Sequence, residues 1–151
     1  MENNFEIRQF RKDDLERVNG FFDSLTGDGR VFFNRNDGSR NAALKFFSED
    51  DPKVIRWMML DEDKMIGYVF LWSVDKSVVW LGIALADGYK GKGLGANLLN
   101  HAKEWAIENG KGAIMLTTHI ANLRAQSLYE RVGYERLGIH NSGEIMYILR
   151  W

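Results

Sequence analysis

Apolar and polar positions along the chain set out an ordered series of elements. "FEIRQF", residues 5 to 10, alternates: Phe5, Ile7 and Gln9 on one side, Glu6, Arg8 and Phe10 on the other. A period of two predicts a half-buried strand. The next fifteen residues place Leu15, Val18, Phe22 and Leu25 at helical spacing behind Asp13 and Asp14. Acidic side chains there suit a helix N-terminus. "NAALKFF", residues 41 to 47, predicts a short second helix that ends before Pro52. "KVIRWMMLDEDKMIGYVFLW" reads as two strands around a tight turn at residues 61 to 64, hence an antiparallel hairpin. "SVVWLGIAL", residues 77 to 85, is almost continuously apolar, which predicts a central strand covered on both faces.

The second half repeats a strand–helix rhythm. Leu94, Leu98, Leu99, Ala102, Trp105 and Ala106 form one apolar stripe at helical spacing. Asn109 and Gly110 close that helix. "GAIMLTT" predicts a short strand, residues 122 to 132 a further helix stopped by Gly133, and "EIMYILRW" a last strand. The expectation is an α/β (α+β) fold with a mixed, mostly antiparallel central sheet flanked by helices, in one domain over residues 1–151.

Composition narrows the function classes. The net charge is -1, unlike the strongly basic footprint of a nucleic-acid binder. There are no cysteines, which excludes disulfides, thiolate nucleophiles and Cys-based zinc sites. His101, His119 and His140 do not fall at ligand spacing, so no metal is expected. "MENNFEIRQF" has neither a basic region nor an apolar run, and no stretch is long enough to span a bilayer. The expectation is a cytoplasmic protein with no nucleic-acid or membrane partner.

The densest chemistry is "DGYKGKGLGANLL", residues 87 to 99. Glycines stand at 88, 91, 93 and 95, with Lys90 and Lys92 among them, between the most apolar strand and a helix. A helix N-terminus offers unpaired N–H groups and partial positive charge, and glycine lets a ligand approach them. The spacing does not fit G-x-G-x-x-G, and no G-x-x-x-x-G-K-[ST] string is present. What remains is K-x-x-G-x-G as a phosphate cradle, or a plain glycine-rich turn. A second constellation is "NLRAQSLYERVGY", residues 122 to 134. Asn122 is placed to cap its helix, and Tyr129 follows two turns later on nearly the same face. Taken alone, that reads as a cap and a packing tyrosine.

Together, Lys90-x-x-Gly93-x-Gly95 and Asn122-x-x-Ala125-x-x-Leu128-Tyr129-Glu130-x-x-Gly133-Tyr134 resemble the GCN5-related N-acetyltransferase (GNAT) superfamily. The order of elements extends the resemblance over the chain, and it is specific from about residue 78 to 134. The resemblance implies that Lys90, Gly91, Lys92, Gly93, Leu94 and Gly95 hold the pyrophosphate of acetyl-coenzyme A (acetyl-CoA) through backbone amides. It implies that the strand around Ile83 and Leu85 pairs with the pantetheine arm, and that Asn122 and Tyr129 lie near the arm and its thioester. Tyr129 is then the proton donor to the leaving thiolate. The chain departs from the family pattern at Lys90, where Arg or Gln is usual, and at residues 77 to 85, which carry no acidic residue to serve as base. His119, Glu49, Asp50, Asp61 and bulk water all stand as candidates for that role.

The implied activity is transfer of an acetyl group from acetyl-CoA to a primary amine, by direct attack in a ternary complex. The acceptor is a small molecule or a protein amine. Residues 30 to 47 carry Arg30, Arg35 and Arg40 with Phe32, Phe33, Phe46 and Phe47, read either as core with a solvated face or as an acceptor pocket. Family analogy implies a homodimer, with Trp151 available to pack at its interface. The rivals are transfer of another acyl group, and a coenzyme A-binding module without catalysis.

Overall fold

The structure, a computed structural model, describes residues 5–151. Seven strands form one sheet in the order β1-β2-β3-β4-β5-β7-β6. They are β1 (Glu6–Gln9), β2 (Val54–Asp61), β3 (Lys64–Trp72), β4 (Val78–Leu85), β5 (Ala113–Thr118), β6 (Glu135–Ile139) and β7 (Ile145–Arg150). Every neighbouring pair is antiparallel except β4 and β5, joined in parallel through helix α3 (Leu94–Glu108). Helices α1 (Leu15–Ser24), α2 (Gly38–Leu44) and α4 (Leu123–Arg131) complete the layers. Among the described residues no helix is long and apolar enough to cross a membrane.

β2 and β3 are the strands buried on both faces. Phe21 and Phe22 of α1 set their rings edge-on to Tyr68, while Leu98 of α3 comes up against Gly67 on the opposite face. That corrects the expectation for residues 77 to 85. β4 is central in the sheet, but Trp80, Gly82, Ile83 and Leu85 are only half-buried, because part of the strand borders a cleft. The apolar run reflects cleft-facing surface as well as core.

α1 also differs from its expected stripe. Leu15 is exposed and Phe21 takes the core position with Val18, Phe22 and Leu25. α2 begins three residues before the predicted stretch, at Gly38, and is preceded by a π-helical turn over Gly29–Phe33. β6, which the apolar pattern of residues 135 to 139 did not signal, pairs with β7 as the edge strand. Its burial explains the miss: four of its five residues are exposed, so no alternation marks it.

Candidate active site

The cleft begins where β4 and β5 part. Their parallel pairing covers only Val78↔Ala113, Val79↔Ile114 and Trp80↔Met115. Beyond it, β4 stays bonded to β3 up to Leu85, and β5 stays bonded to β7 up to Thr118. A notch opens between them. The Ala86 N–H donates to the Ile66 carbonyl of β3, whereas the Ser77 carbonyl accepts from Gly112 ahead of β5. Backbone groups alternate along a strand, so those of Ile83 and Leu85 face the notch. This is a free sheet edge on which an extended ligand can add as a further strand.

At the head of the notch lies the glycine loop. A 3₁₀ turn over Asp87–Tyr89 is followed by Gly91 and Gly93 at φ 78° and 80°, and Gly93 is the N-cap of α3. Only glycine holds that left-handed backbone cheaply. The first turn of α3 therefore presents its free N–H groups beside two glycines that carry no side chain, the arrangement that suits a phosphate. Asp87 anchors the loop: it accepts from the Thr26 N–H at 3.1 Å and from the Thr26 hydroxyl, and its Oδ1 lies 3.8 Å from Lys90 Nζ.

Ile83, Leu85, Lys90, Gly91, Gly93, Gly95, Asn122, His119 and Tyr129 all border one cleft of about 400 Å³. The other two expected loop residues sit elsewhere. Leu94 is buried in the core, and Lys92 is exposed with its Nζ 5.9 Å from the centre of the Tyr89 ring. Gly95 has a packing duty as well: a Cβ there would stand 2.8 Å from Leu128 Cδ2, so the glycine lets α4 close on α3. Asn122 caps α4 by accepting from the Ala125 N–H at 3.3 Å.

Tyr129 is 6% exposed and packs against the rings of Tyr134 and Tyr147 at 5.8 Å. Its hydroxyl has no hydrogen-bond partner among the described residues. Burial, with the nearby Glu144 charge and Tyr147, raises the phenol well above its ordinary pKa. It stays protonated at any working pH and is available as a donor.

His119 stacks on Phe32 at 4.9 Å, and its Nδ1 accepts from the Ala121 N–H at 3.0 Å. In the neutral ring that bond leaves the proton on Nε2, by the hydrogen-bond network. As placed, His119 offers the cleft a donor rather than a base. Glu49, Asp50 and Asp61 do not border the cleft, and Asp61 accepts from the Tyr89 hydroxyl at 2.6 Å. Two carboxylates do border it, Asp28 and Glu144. Glu144 precedes β7 and accepts from the Thr117 hydroxyl at 2.7 Å. Sequence reasoning missed it, since 27 residues separate it from Thr117 and only the β5–β7 pairing brings them together.

The 30-to-47 segment divides. Phe32 walls the cleft, and Arg30 and Arg35 line a shallow pocket sharing Phe32 and His119 with it. Phe33 packs on Phe22, Phe46 and Phe47 on Phe10, and Arg40 pairs with Asp23 at 2.6 Å. Phe46, Phe47 and Arg40 belong to the scaffold, while Phe33 also borders the cleft.

A free central edge leading from a glycine-capped helix to a buried tyrosine defines an acyl-transferase class of site. Residues 18–134 match the Acetyltransferase (GNAT) family, and the chain belongs to that family of acetyltransferases. It is 29% identical over 152 residues to the uncharacterized N-acetyltransferase YhfO of Bacillus subtilis (strain 168), covering 95% of each chain. It is 35% identical over 60 residues to streptothricin acetyltransferase of Streptomyces lavendulae, 40% of this chain and 32% of that one. Among solved structures, the GNAT domain of S. lividans PAT superposes with a TM-score of 0.86 at 16% identity, over 97% of this chain and 90% of that one. The PaiA N-acetyltransferase of Thermoplasma acidophilum, in complex with coenzyme A, superposes at 0.73 and 16% identity, over 99% and 100%.

Proposed function

We propose that this chain, as one catalytic domain over residues 1–151 acting in the cytoplasm, transfers the acetyl group of acetyl-CoA to a primary amine of a small molecule. Attack is direct, in a ternary complex. One observation carries the reading: a single cleft joins the glycine cradle, the free edge at Ile83 and Leu85, and the Tyr129 phenol. The residues fit the co-substrate. Gly91 and Gly93, with Lys90, would hold its pyrophosphate, and Ile83 and Leu85 would bond its amide-bearing arm. Asn122, engaged through its oxygen, keeps its side-chain NH₂ for the same arm. The coenzyme A complex of the T. acidophilum protein, of similar fold, supports this, as does a Salmonella typhimurium structure with acetyl-CoA at a TM-score of 0.76 and 15% identity.

Tyr129 donates to the departing sulfur. A free phenol near ~10 and a thiol near ~8.5 differ by about 1.5 units, or ~2 kcal/mol. Burial of Tyr129 widens that gap. Its contribution is therefore a strong hydrogen bond at the sulfur as charge develops, with the proton following late. Tyr129→Phe is expected to lower turnover ~10²-fold and leave acetyl-CoA affinity within about twofold. Thiol release with a panel of primary amines measures the first and calorimetry the second. Equal turnover in the variant sinks the role; binding with no thiol release by the wild type would mark a module without catalysis.

A further inference from the structure

Residues 77 to 85 supply no carboxylate, yet Asp28 and Glu144 border the cleft, and Glu144 stands just ahead of β7, facing β5. Glu144 is held from two sides. Its backbone closes a turn in which the His140 N–H donates to the Glu144 carbonyl at 2.7 Å and the Glu144 N–H donates to Ser142 Oγ at 3.3 Å. Its side chain accepts from Thr117 Oγ1 at 2.7 Å through Oε1. The other oxygen, Oε2, has no partner among the described residues, and no described cation forms an ion pair with this carboxylate. Thr117 lies on the length of β5 that has left β4, so the pair stands on the limb of the notch opposite Ile83 and Leu85. Tyr129 borders the same cleft.

We propose that Glu144, positioned by Thr117, receives the ammonium group of the acceptor on Oε2 and takes its proton, making it the base of the transfer. This rests on the acetyltransferase reading above. An alkylammonium near ~10.4 keeps its proton at neutral pH. A carboxylate beside it in a cleft filled by the co-substrate changes the balance, because loss of water disfavours the charged pair relative to the neutral one. The nitrogen then carries a lone pair and forms a C–N bond to the thioester carbon as the C–S bond breaks. Of the two protons lost from nitrogen, one goes to Glu144 and on to solvent. The other reaches sulfur with the help of Tyr129 and leaves as free thiol. The acceptor class that follows is a cationic primary amine rather than a hydroxyl or an uncharged amide. His119, whose Nδ1 is already engaged, is not needed for the step.

The test is thiol release from acetyl-CoA with n-butylamine, benzylamine and glycinamide, followed from acid to alkaline pH in the wild type and in Glu144→Gln. The wild type should reach its kcat/KM plateau well below the pKa of the amine. Glu144→Gln should lose ~10²-fold in kcat/KM at neutral pH. Its rate should climb tenfold per pH unit towards the amine's own pKa, because it acts only on amine already neutral in solution. Protection of the fold by acetyl-CoA should be the same in both proteins. Thr117→Val keeps the carboxylate but frees it, and should lose ~10-fold while keeping the wild-type pH profile. Glu144→Gln with wild-type kcat/KM and profile overturns the proposal. So does loss in Thr117→Val that matches Glu144→Gln with both proteins melting early, which marks a purely structural role. A wild type silent with every amine, while binding acetyl-CoA, overturns the catalytic reading beneath it.

Discussion

Asp14 shows how much one side chain can do ahead of a helix. Its charge suits the N-terminus of α1, but its side chain caps no helix N–H. It is fully buried and its oxygens accept from Arg8 at 2.8 and 2.9 Å, from Arg17 at 3.1 Å and from the Arg11 N–H at 2.7 Å. The contact ties β1 to α1. Burial pushes the carboxyl pKa up, but the Arg8 bonds and the other donors outweigh it and leave it below the ordinary value. A depressed carboxyl stabilises the fold above its unfolded pKa of ~3.9, and that contribution disappears as pH falls through the folded pKa. Asp14→Asn leaves Arg8 poorly paired and should cost about 3 kcal/mol or more at pH 7. In urea titrations the gap to wild type should narrow at pH 3; a gap independent of pH would refute the pairing as its source.

Among the elements, β4 carries the widest range of duties. It bonds β3 along its length, bonds β5 briefly, and then becomes the edge of the cleft. Gly82 borders the cleft there. A Cβ at this position would come within 2.4 Å of two Phe70 ring atoms, so the ring lies directly across the glycine. Gly82→Ala forces Phe70 out of its stack on Tyr68, where the rings sit 4.9 Å apart. Overpacking of this kind costs about 1–3 kcal/mol. Thermal melting should show the loss, and an additional Phe70→Ala change should recover part of it. A Gly82→Ala protein as stable as wild type would mean that Phe70 leaves freely. The same strand shows why an apolar run does not report coverage: the apolar residues of β4 line a cleft as well as the core.

The molecule as a whole works by splaying its sheet. β3 is covered by α1 on one side and α3 on the other, and β4 and β5 part without unravelling because β4 stays bonded to β3 and β5 to β7. The notch should accept the co-substrate with little rearrangement. Acetyl-CoA at a hundred times its dissociation constant should then add ~2.7 kcal/mol to stability. For a chain of this length that raises the melting temperature by several degrees. Gly93→Ala, strained at φ 80°, should melt lower and show a smaller rise. No rise for the wild type would remove the cradle from the argument.

The chain's own pattern determined the order of the helices and of every strand but β6, the hairpin at residues 61 to 64, and the glycine loop between β4 and α3. Each of these is local: periodicity, turn chemistry and φ preference act within a few residues. Asn122 and Tyr129 were legible for the same reason, two turns apart on one helix. Tertiary structure alone decided which strands are sealed on both faces and that Gly95 also packs against Leu128. It also decided that Glu144 borders the cleft. Glu144 reaches Thr117 because β5 and β7 pair antiparallel and β4 lets go of β5 after Trp80, and strand pairing across the sheet leaves no trace in local sequence.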